Sequence, residues 1–547
     1  MSASDELRNR PLAPLDRRLE LLAYLGILTL AASLRLGSNL AMRGSWDADQ
    51  GQDMLVLRAL VLDGRIPLLG PPTSIGDFHH GMLYYLLLAP AAALSHADPV
   101  AVTTWIALGG VAAVAVTGWL ARSIAGPIAG LLAALLLAVS SSAIEESTFI
   151  WNPNLIALSS SIALAAAWHA WRTRSPRWWL LAGIAAVVTM QCHVLGVVLT
   201  PVIGGLLVAD VRRRQRAGDA SGARAVGRAA LGWLAIAILS YVPLAIHELG
   251  NDASELRAAI AFLTGAAGTT SIALPVRIPI VGLRVLGWPL AGLITAAPVA
   301  TVLASALVIG LAVWRGWVAG DERDLDGWAS RGEPTPADER IAVRWLSLGL
   351  AWTVIALAAG ASSLATVVAG LPNDHYHAFA DPMVVALVGV GVASLLARRP
   401  SRGAPISIVA GVAVFVALIG WNLATQPPAI AADGGWSAAR EAADRVVLAS
   451  EERPIALSSL PSFKSDEALR MPLAAQGANL IAAGSNDAAA RGPGVIRVVL
   501  CDQLFRDSIG ADCAGPAEDA LIGPAAAANP KDRFEGAPGR WVSIYGP

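Results

Sequence analysis

The stretch WWLLAGIAAVVTMQCHVLGVVLTPVIGGLLVAD, from Trp178 to Asp210, decides the fold. It is apolar almost throughout, yet Arg177 precedes it and Arg212 follows it. A bilayer core needs roughly 20 apolar residues per helix, and short loops rich in Lys and Arg stay in the cytoplasm. The stretch therefore predicts a hairpin of two short membrane helices, with its apex at Met190-Gln191-Cys192-His193 near the outer leaflet.

The composition extends this conclusion to most of the chain. Of 547 residues, 55% are hydrophobic and 15% are charged, against about 25% charged residues in a typical soluble domain. Apolar stretches recur along residues 1–423, and a backbone exposed to lipid must satisfy its own hydrogen bonds. We therefore predict an all-α polytopic membrane bundle over residues 1–423. The net charge of −1 offers no field that would gather nucleic acid.

Apolar runs and basic clusters predict the membrane topology. Basic clusters, which we place in the cytoplasm, surround Arg8–Arg18, Arg172–Arg177, Arg212–Arg228, Arg315–Arg344 and Arg398–Arg402. Residues 21–40 are too long for a signal-peptide core and are read as a retained first span. Outward segments are then expected at 41–81, 145–154, 191–194, 248–289, 370–380 and after 423. Twelve candidate helices lie at 21–40, 82–97, 100–121, 127–144, 154–171, 179–191, 194–209, 229–247, 290–313, 345–369, 381–397 and 404–423.

A cytoplasmic N-terminus and an external C-terminus need an odd number of crossings. We therefore expect about 11–13 membrane helices. The uncertain part lies between residues 41 and 154, where 82–97 is short for a span and 54–69 resembles a surface-lying amphipathic helix.

The composition changes after residue 423. Residues 424–547 contain the strand-like runs RPIALSSL, GVIRVVL and RWVSIYG and the helix-like run AAREAADRVVLAS, which together predict a small extracytoplasmic α/β domain. Cys501 and Cys513 lie in it, and an oxidised pair is allowed outside the cytoplasm. We expect them to form a disulfide, and Cys192 to be a free thiol.

Three aspartates follow the first span in the external loop 41–81. Asp47, Asp49 and Asp53 lie in the motif WDADQGQD. One carboxylate could act as a general base while another orients it or holds a divalent cation such as Mg²⁺ or Mn²⁺. A solvated acidic loop beside a helix N-terminus is the alternative.

The same loop continues with LLGPPTSIGDFHHGMLYYLLLAP, which contains Asp77, His79 and His80. These side chains could position a substrate or ligate a metal, for which Asp49 and His79 would be the candidate ligands. Adjacent histidines point in different directions in most backbones, so substrate positioning is favoured.

Further polar residues fall on the predicted outer side. Asn152 lies in the motif WNPN, where it also suits an ordinary helix cap. Gln191 and His193 lie at the hairpin apex, where polar groups at membrane depth are costly unless they meet a partner or ligand. His375 and His377 lie in NDHYHAFADP, where a helix N-terminus favours anions such as phosphate.

The acidic motif after the first span, the loop running into Leu83-Tyr84-Tyr85 and the WNPN motif together resemble the GT-C glycosyltransferases. Within them, the chain is most similar to the family-39-like branch, which includes protein O-mannosyltransferases and the aminoarabinose transferase of lipid A. Many members have Lys-Pro-Pro where this chain has His79-His80-Gly81.

The resemblance implies Asp49 as the catalytic base, with Asp47 as runner-up. It also implies a polyprenyl-phosphate-linked hexosyl or pentosyl donor, a glycan, lipid or protein acceptor, and inversion at the anomeric carbon. Such an enzyme would lie in the plasma or inner membrane among its lipids. The alternatives are a transporter or flippase of lipid-linked glycans, although the chain lacks an evident internal repeat, and a non-catalytic scaffold.

Overall fold

A computed structural model describes residues 16–73, 78–263, 272–319, 335–365, 374–396, 404–462, 466–482, 492, 494–523 and 530–546. Within these ranges the chain is a helical bundle followed by a small sheet, which confirms the predicted fold class. Among the described residues, seven helices are long and apolar enough to cross a membrane, and three shorter apolar helices accompany them. The chain is thus a multi-pass membrane protein, while the exact number of crossings stays a prediction.

The first part of the chain contains α1 to α10. Their bounds are α1 Arg17–Arg35, α2 Leu40–Arg43, α3 Ala48–Leu62, α4 Leu83–Ser95, α5 Pro99–Ala125, α6 Pro127–Val139, α7 Ser141–Glu145, α8 Ile156–Thr173, α9 Pro176–Cys192 and α10 Leu199–Arg216. Short 3₁₀ segments, Asn152–Leu155 and Val194–Val198, precede α8 and α10.

The second part contains α11 to α18 and encloses the most buried helix. The bounds are α11 Ala220–Ser240, α12 Val242–Gly250, α13 Ser254–Leu263, α14 Leu274–Ala291, α15 Pro298–Val313, α16 Pro336–Gly360, α17 Asp381–Leu396 and α18 Ala404–Ala424. The 3₁₀ segment Asp374–Ala380 leads into α17. Nearly every residue of α17 is buried, so this helix forms the axis of the bundle.

The apolar stretch after Trp178 is divided as the sequence predicts. Helix α9 ends at Cys192, and His193 has extended backbone angles, φ −153° and ψ 130°. An extended residue cannot continue the hydrogen-bond ladder of a helix, so the chain changes direction here. Gln191 and His193 therefore lie at a break between helices.

The predicted external segment at 248–289 is wrong in its second half. Residues 274–291 form α14, which is apolar enough to span a membrane, and the predicted helix 290–313 is interrupted at Gly292, with φ +79°. The arginines in this segment hide the pattern, but Arg284 is paired inside the bundle and Arg277 donates to the carbonyl of Ile272 at 2.6 Å. Paired arginines are compatible with a membrane helix.

The C-terminal part forms a four-stranded sheet of order β1-β2-β4-β3. The strands are β1 Ile455–Leu460, β2 Ile496–Asp502, β3 Asp532–Ala537 and β4 Arg540–Tyr545; β1 and β2 are parallel, and β4 is antiparallel to both neighbours. The helices of this part are α19 Gly435–Ser450, α20 Glu467–Ala475, α21 Arg506–Ile509 and α22 Pro516–Ile522. Three strands and α19 follow the predicted runs, whereas β3, with the sequence DRFEGA, lacks the expected apolar alternation.

The cysteines are distributed between the two parts. A disulfide joins Cys501 on β2 to Cys513, with their Cα atoms 5.8 Å apart. Cys192 is a buried free thiol at the end of α9.

Candidate functional site

The acidic motif forms the start of α3. Asp47 is the N-cap residue, and its backbone N–H donates to the Oε1 of Gln50 at 2.9 Å. Its carboxylate accepts a hydrogen bond of 3.0 Å from Arg540. Asp49 lies in the first helical turn with an exposed side chain. Asp47 is thus engaged in structure, while Asp49 faces the surface.

Asp53 lies one turn after Asp49 and is buried. Residues four apart share one face of a helix. The Asp53 carboxylate is 2% exposed and accepts hydrogen bonds from the hydroxyls of Tyr84, at 2.8 Å, and Tyr85, at 2.9 Å. Burial raises the pKa of Asp53 to about 7; the tyrosine hydrogen bonds oppose this increase and the charge of Asp49 adds to it. This carboxyl can therefore change its protonation state near neutral pH.

A stack of aromatic rings brings together four predicted segments. The ring of His80 lies 4.6 Å from that of His193, which stacks on Tyr376 at 4.6 Å. Tyr376 contacts His375, whose ring centroid lies 4.0 Å from that of Trp151. Four segments therefore meet in one place. They are the first loop, the helix break at His193, the segment His375-Tyr376-His377 (the HYH segment) and the WNPN motif.

Backbone donors fix the tautomers of two of these histidines. The N–H of Val194 donates to Nδ1 of His80 at 3.3 Å, and the N–H of Leu195 donates to Nδ1 of His193 at 3.2 Å. A ring nitrogen that accepts a hydrogen bond carries no proton, so the proton of each neutral imidazole lies on Nε2. Burial lowers the pKa of His80 to about 3, which keeps this ring neutral. The pair presents N–H donors without positive charge.

Asn152 and Gln191 hold the backbone around this stack. The side-chain amide of Asn152 donates to the carbonyl of Cys192 at 2.6 Å. Gln191 is fully buried and donates to Ser240 Oγ at 2.9 Å. Its Oε1 lies against Gly81, where an added Cβ would approach it to 1.6 Å. Gly81 thus allows the first loop to approach the end of α9 closely.

Other predicted site residues lie apart from the stack. Nδ1 of His79 forms a 2.9 Å hydrogen bond with one carboxylate oxygen of Glu255, and the backbone N–H of His79 donates to the other oxygen at 2.7 Å. Nε2 of His377 lies 3.3 Å from Oδ1 of Asp374, so His377 pairs with this aspartate and does not take part in the stack with His375. Asp77 lies outside the described residues.

Metal ligation finds no support in the described ranges. There, no group of three or more His, Cys, Asp or Glu side chains is arranged to hold a metal ion. The candidate ligand His79 already uses Nδ1 with Glu255.

A buried ion pair below the HYH segment was not predicted. Arg284 of α14 donates two hydrogen bonds to Asp374, at 2.7 and 2.9 Å, and a third to the carbonyl of Leu364 at 2.6 Å. Trp288, one turn further along α14, donates to Glu146 at 3.0 Å. An arginine within an apolar run signals an internal partner, but the segment was assigned to a loop. The pair fixes the start of the 3₁₀ segment that carries His375.

The acidic motif is linked to the stack through α4. Tyr84 binds Asp53, and its helix α4 packs against α9, which ends at Cys192. Cys192 is the residue whose carbonyl accepts from Asn152. The acidic motif and the stack are thus joined through the packing of α4 on α9.

Comparison with known proteins gives one family match. Residues 79–247 match the model of the family described as dolichyl-phosphate-mannose-protein mannosyltransferase. The matched segment contains His80, Asn152 and His193 and begins after the acidic motif. No curated protein matches the chain.

Solved structures with remote similarity are also found. ArnT from Cupriavidus metallidurans bound to undecaprenyl phosphate is 15% identical, with 96% of this chain and 97% of that chain covered and a TM-score of 0.49. The oligosaccharyltransferase of Archaeoglobus fulgidus in the apo form is 13% identical, with 90% and 70% covered and a TM-score of 0.49. Residue roles are not transferred from either.

The family match agrees with the resemblance carried by the first external loop and the WNPN motif. The matched segment also holds most of the residues that meet in the aromatic stack. Residues 79–247 of this membrane protein are thus similar to the family described as dolichyl-phosphate-mannose-protein mannosyltransferase.

Proposed function

We propose that this chain transfers a sugar from a polyprenyl-phosphate-linked donor to an acceptor on the extracytoplasmic face, with inversion and with Asp49 as general base. The observation that carries the proposal is an exposed aspartate in the first turn of α3, directly before a segment that matches a family named for a lipid-phosphate-linked mannose donor. The donor sugar is a hexose or a pentose.

Asp49 suits the role of base better than its neighbours. Asp47 is paired with Arg540, and Asp53 is enclosed between Tyr84 and Tyr85. A general base must reach the proton that it removes, and a buried carboxylate cannot reach an acceptor that arrives from solution. Asp53 instead anchors the face of α3 that carries Asp49.

The chemical step is a single displacement. The acceptor hydroxyl gives its proton to the Asp49 carboxylate while its oxygen forms a bond to the anomeric carbon of the sugar. The bond from that carbon to the phosphate oxygen breaks, and the lipid phosphate leaves with the electron pair. Attack opposite to the leaving group inverts the anomeric configuration.

We assign this stack of aromatic rings, the histidine stack, to binding of the sugar donor. His80 and His193 offer neutral N–H groups, which can bind phosphate or sugar oxygens without trapping the charged product. His375 and Tyr376 extend the stack, and Asn152 and Gln191 maintain its backbone. His79 and His377 support the surrounding segments through Glu255 and Asp374.

The proposed location is the plasma or inner membrane, with the sheet outside the cytoplasm. The disulfide between Cys501 and Cys513 supports this orientation, because such bonds persist mainly in oxidising compartments. The acceptor is a glycan, a lipid or a protein presented on that side.

The test uses purified protein in lipid vesicles with a radiolabelled polyprenyl-phosphate sugar. We expect transfer by the wild type and a loss of about 100-fold or more in Asp49→Asn, since removal of a general base costs about 10² to 10⁴. Asp63→Asn is the matched control, because Asp63 is an exposed aspartate at the other end of α3.

Each outcome of this test is informative. Equal loss in Asp49→Asn and Asp63→Asn would indicate general damage to α3 and would contradict the assigned base. Retained transfer in Asp49→Asn would contradict the assigned base and would move the role to a neighbouring aspartate, with Asp47 as the first candidate. Movement of the labelled lipid across the vesicle without transfer would instead identify a flippase, and a parallel series with chelator measures metal dependence.

A further inference from the structure

Trp46, directly before the acidic motif, is embedded in the C-terminal part of the chain. The side chain is 3% exposed, and its ring lies 4.6 Å from the ring of Trp436 on α19. Its Nε1–H donates to the carbonyl of Ala468 on α20 at 2.8 Å. The acidic motif therefore begins with a residue that is packed in the C-terminal part, and it continues into α3 of the helical bundle.

The backbone of Trp46 is also bound from the C-terminal part. Its N–H donates to Asp433 at 2.8 Å, and its carbonyl accepts from Nη1 of Arg540 at 2.9 Å. The Nη2 of the same guanidinium donates to the carboxylate of Asp47 at 3.0 Å. One arginine thus fixes the peptide and the side chain that precede α3.

Arg540 is itself held in place by the sheet. It is the first residue of β4 and pairs in register with Asp502 of β2. The Asp502 carboxylate lies 3.6 Å from Nη2, and the Arg540 side chain is 13% exposed. A guanidinium that is mostly shielded from water and bound on two sides loses little further freedom when it binds Asp47.

A second contact fixes α3 one turn later. An added Cβ at Gly51 would lie 2.2 Å from the carbonyl oxygen of Glu467, so the backbones of α3 and α20 touch at this point. Asp49 lies between Asp47 and Gly51 in the sequence. Both neighbours of the proposed base are therefore held by the C-terminal part.

We infer that Arg540 is a positioning residue for the transfer reaction: it holds the start of α3 so that Asp49 keeps its orientation, and the C-terminal part must stay docked for turnover. The inference rests on the proposed function of Asp49. Arg540 binds Trp46 and Asp47, and it acts on the reaction through them. Its loss should affect the chemical step more than donor binding, because the histidine stack is built from other segments.

The first experiment compares Arg540→Gln, Arg540→Lys and Arg445→Gln. Arg445 is the matched control, because it forms a similar two-pronged pair with Asp532 on the same sheet, away from α3. We expect Arg540→Gln to lower kcat by about 10- to 100-fold with an unchanged KM for the donor, since small misplacement of a reacting group has effects of this size. Arg540→Lys should restore part of kcat, and Arg445→Gln should match the wild type.

Hydrogen exchange of residues 46–53 gives a readout that does not need activity. We expect faster exchange in Arg540→Gln than in the wild type, with unchanged exchange in β1 and β2. Gly51→Ala should reproduce both effects through steric contact with Glu467 and without removing a charge. Gly204→Ala is its control, because an added Cβ there meets no atom within 4 Å.

The possible results separate the two proposals. Unchanged kcat or unchanged exchange in Arg540→Gln would overturn the role of Arg540, as would an equal loss in Arg445→Gln. An increase in KM without loss of kcat would also overturn it. If the wild type transfers no sugar, the proposed function fails, while the exchange measurement still decides whether Arg540 holds the start of α3.

Discussion

The hydroxyl of Tyr84 donates a 2.8 Å hydrogen bond to the buried carboxylate of Asp53. This bond joins α3, which carries the acidic motif, to α4, which follows the histidine loop. Tyr85 donates to the other oxygen of the same carboxylate at 2.9 Å. The carboxyl thus has one partner for each oxygen, and its protonation is coupled to the packing of the two helices.

The raised pKa of Asp53 predicts how stability depends on pH. The pKa is about 7 in the folded protein, against 3.8 for an aspartate in water. Between these values the unfolded chain has released the proton that the folded chain still holds, so this contribution to stability is lost as the pH rises from 4 to 7. We expect Asp53→Asn to reduce this fall in thermal unfolding scans across that range. An identical pH dependence in the variant would contradict the prediction.

The contribution of His80 to stability should depend on pH in the opposite direction. Burial lowers the pKa of His80 to about 3 from the ordinary value of 6.5 for histidine. The unfolded chain then takes up a proton between these values while the folded chain does not, so stability falls as the pH drops from 6.5 towards 3. His80→Gln should flatten this part of the curve in unfolding scans. A ring that titrates with an ordinary pKa by NMR would contradict the assignment of a neutral His80.

The contributions of Arg284 and Asp374 to the free energy of unfolding should be strongly coupled. Both side chains are at most 3% exposed, and breaking a buried ion pair by removing one partner costs about 3 to 5 kcal/mol. We expect Arg284→Gln and Asp374→Asn each to destabilise the protein by that amount. The double variant should cost less than the sum, and thermal unfolding of all four proteins measures the coupling. Simple additivity would show that the pair is not energetically linked.

The disulfide should stabilise the sheet. Cys501 and Cys513 are 12 residues apart, and closing a loop of this length contributes about 3 kcal/mol. We expect the double variant Cys501→Ser, Cys513→Ser to lower the unfolding temperature of the C-terminal part. Hydrogen exchange of β2 and β4 measures this effect. Exchange in α17, the buried axis of the bundle, should remain unchanged, and equal loosening of α17 would contradict a local effect.

The sequence predicted the elements whose pattern is local. The break near His193 follows from the length of one apolar stretch between arginines, and three strands follow from runs of β-branched and apolar residues. Charge topology predicted that the first loop, the helix break and the HYH segment lie on the same side of the membrane. The stack of His80, His193, Tyr376 and His375 agrees with this expectation.

Features that depend on distant partners could not be predicted in this way. Arg284 broke the apolar pattern of its segment, and only its pairing with Asp374 explains why a helix forms there. Trp46 and Asp47 were assigned to the external loop 41–81, whereas they are held by Arg540 and Ala468 of the C-terminal part. One sequence contains no record of which residues meet across the fold, so these contacts required the structure.

The bond between Arg540 and Asp47 spans 493 positions of the chain. At about 5 to 20 residues per second, the ribosome makes Arg540 tens of seconds after Asp47 has been synthesised. During that interval the first loop can exist without the contact that orients it. A chain that ends before Arg540 therefore lacks the guanidinium that binds Trp46 and Asp47 at the start of α3.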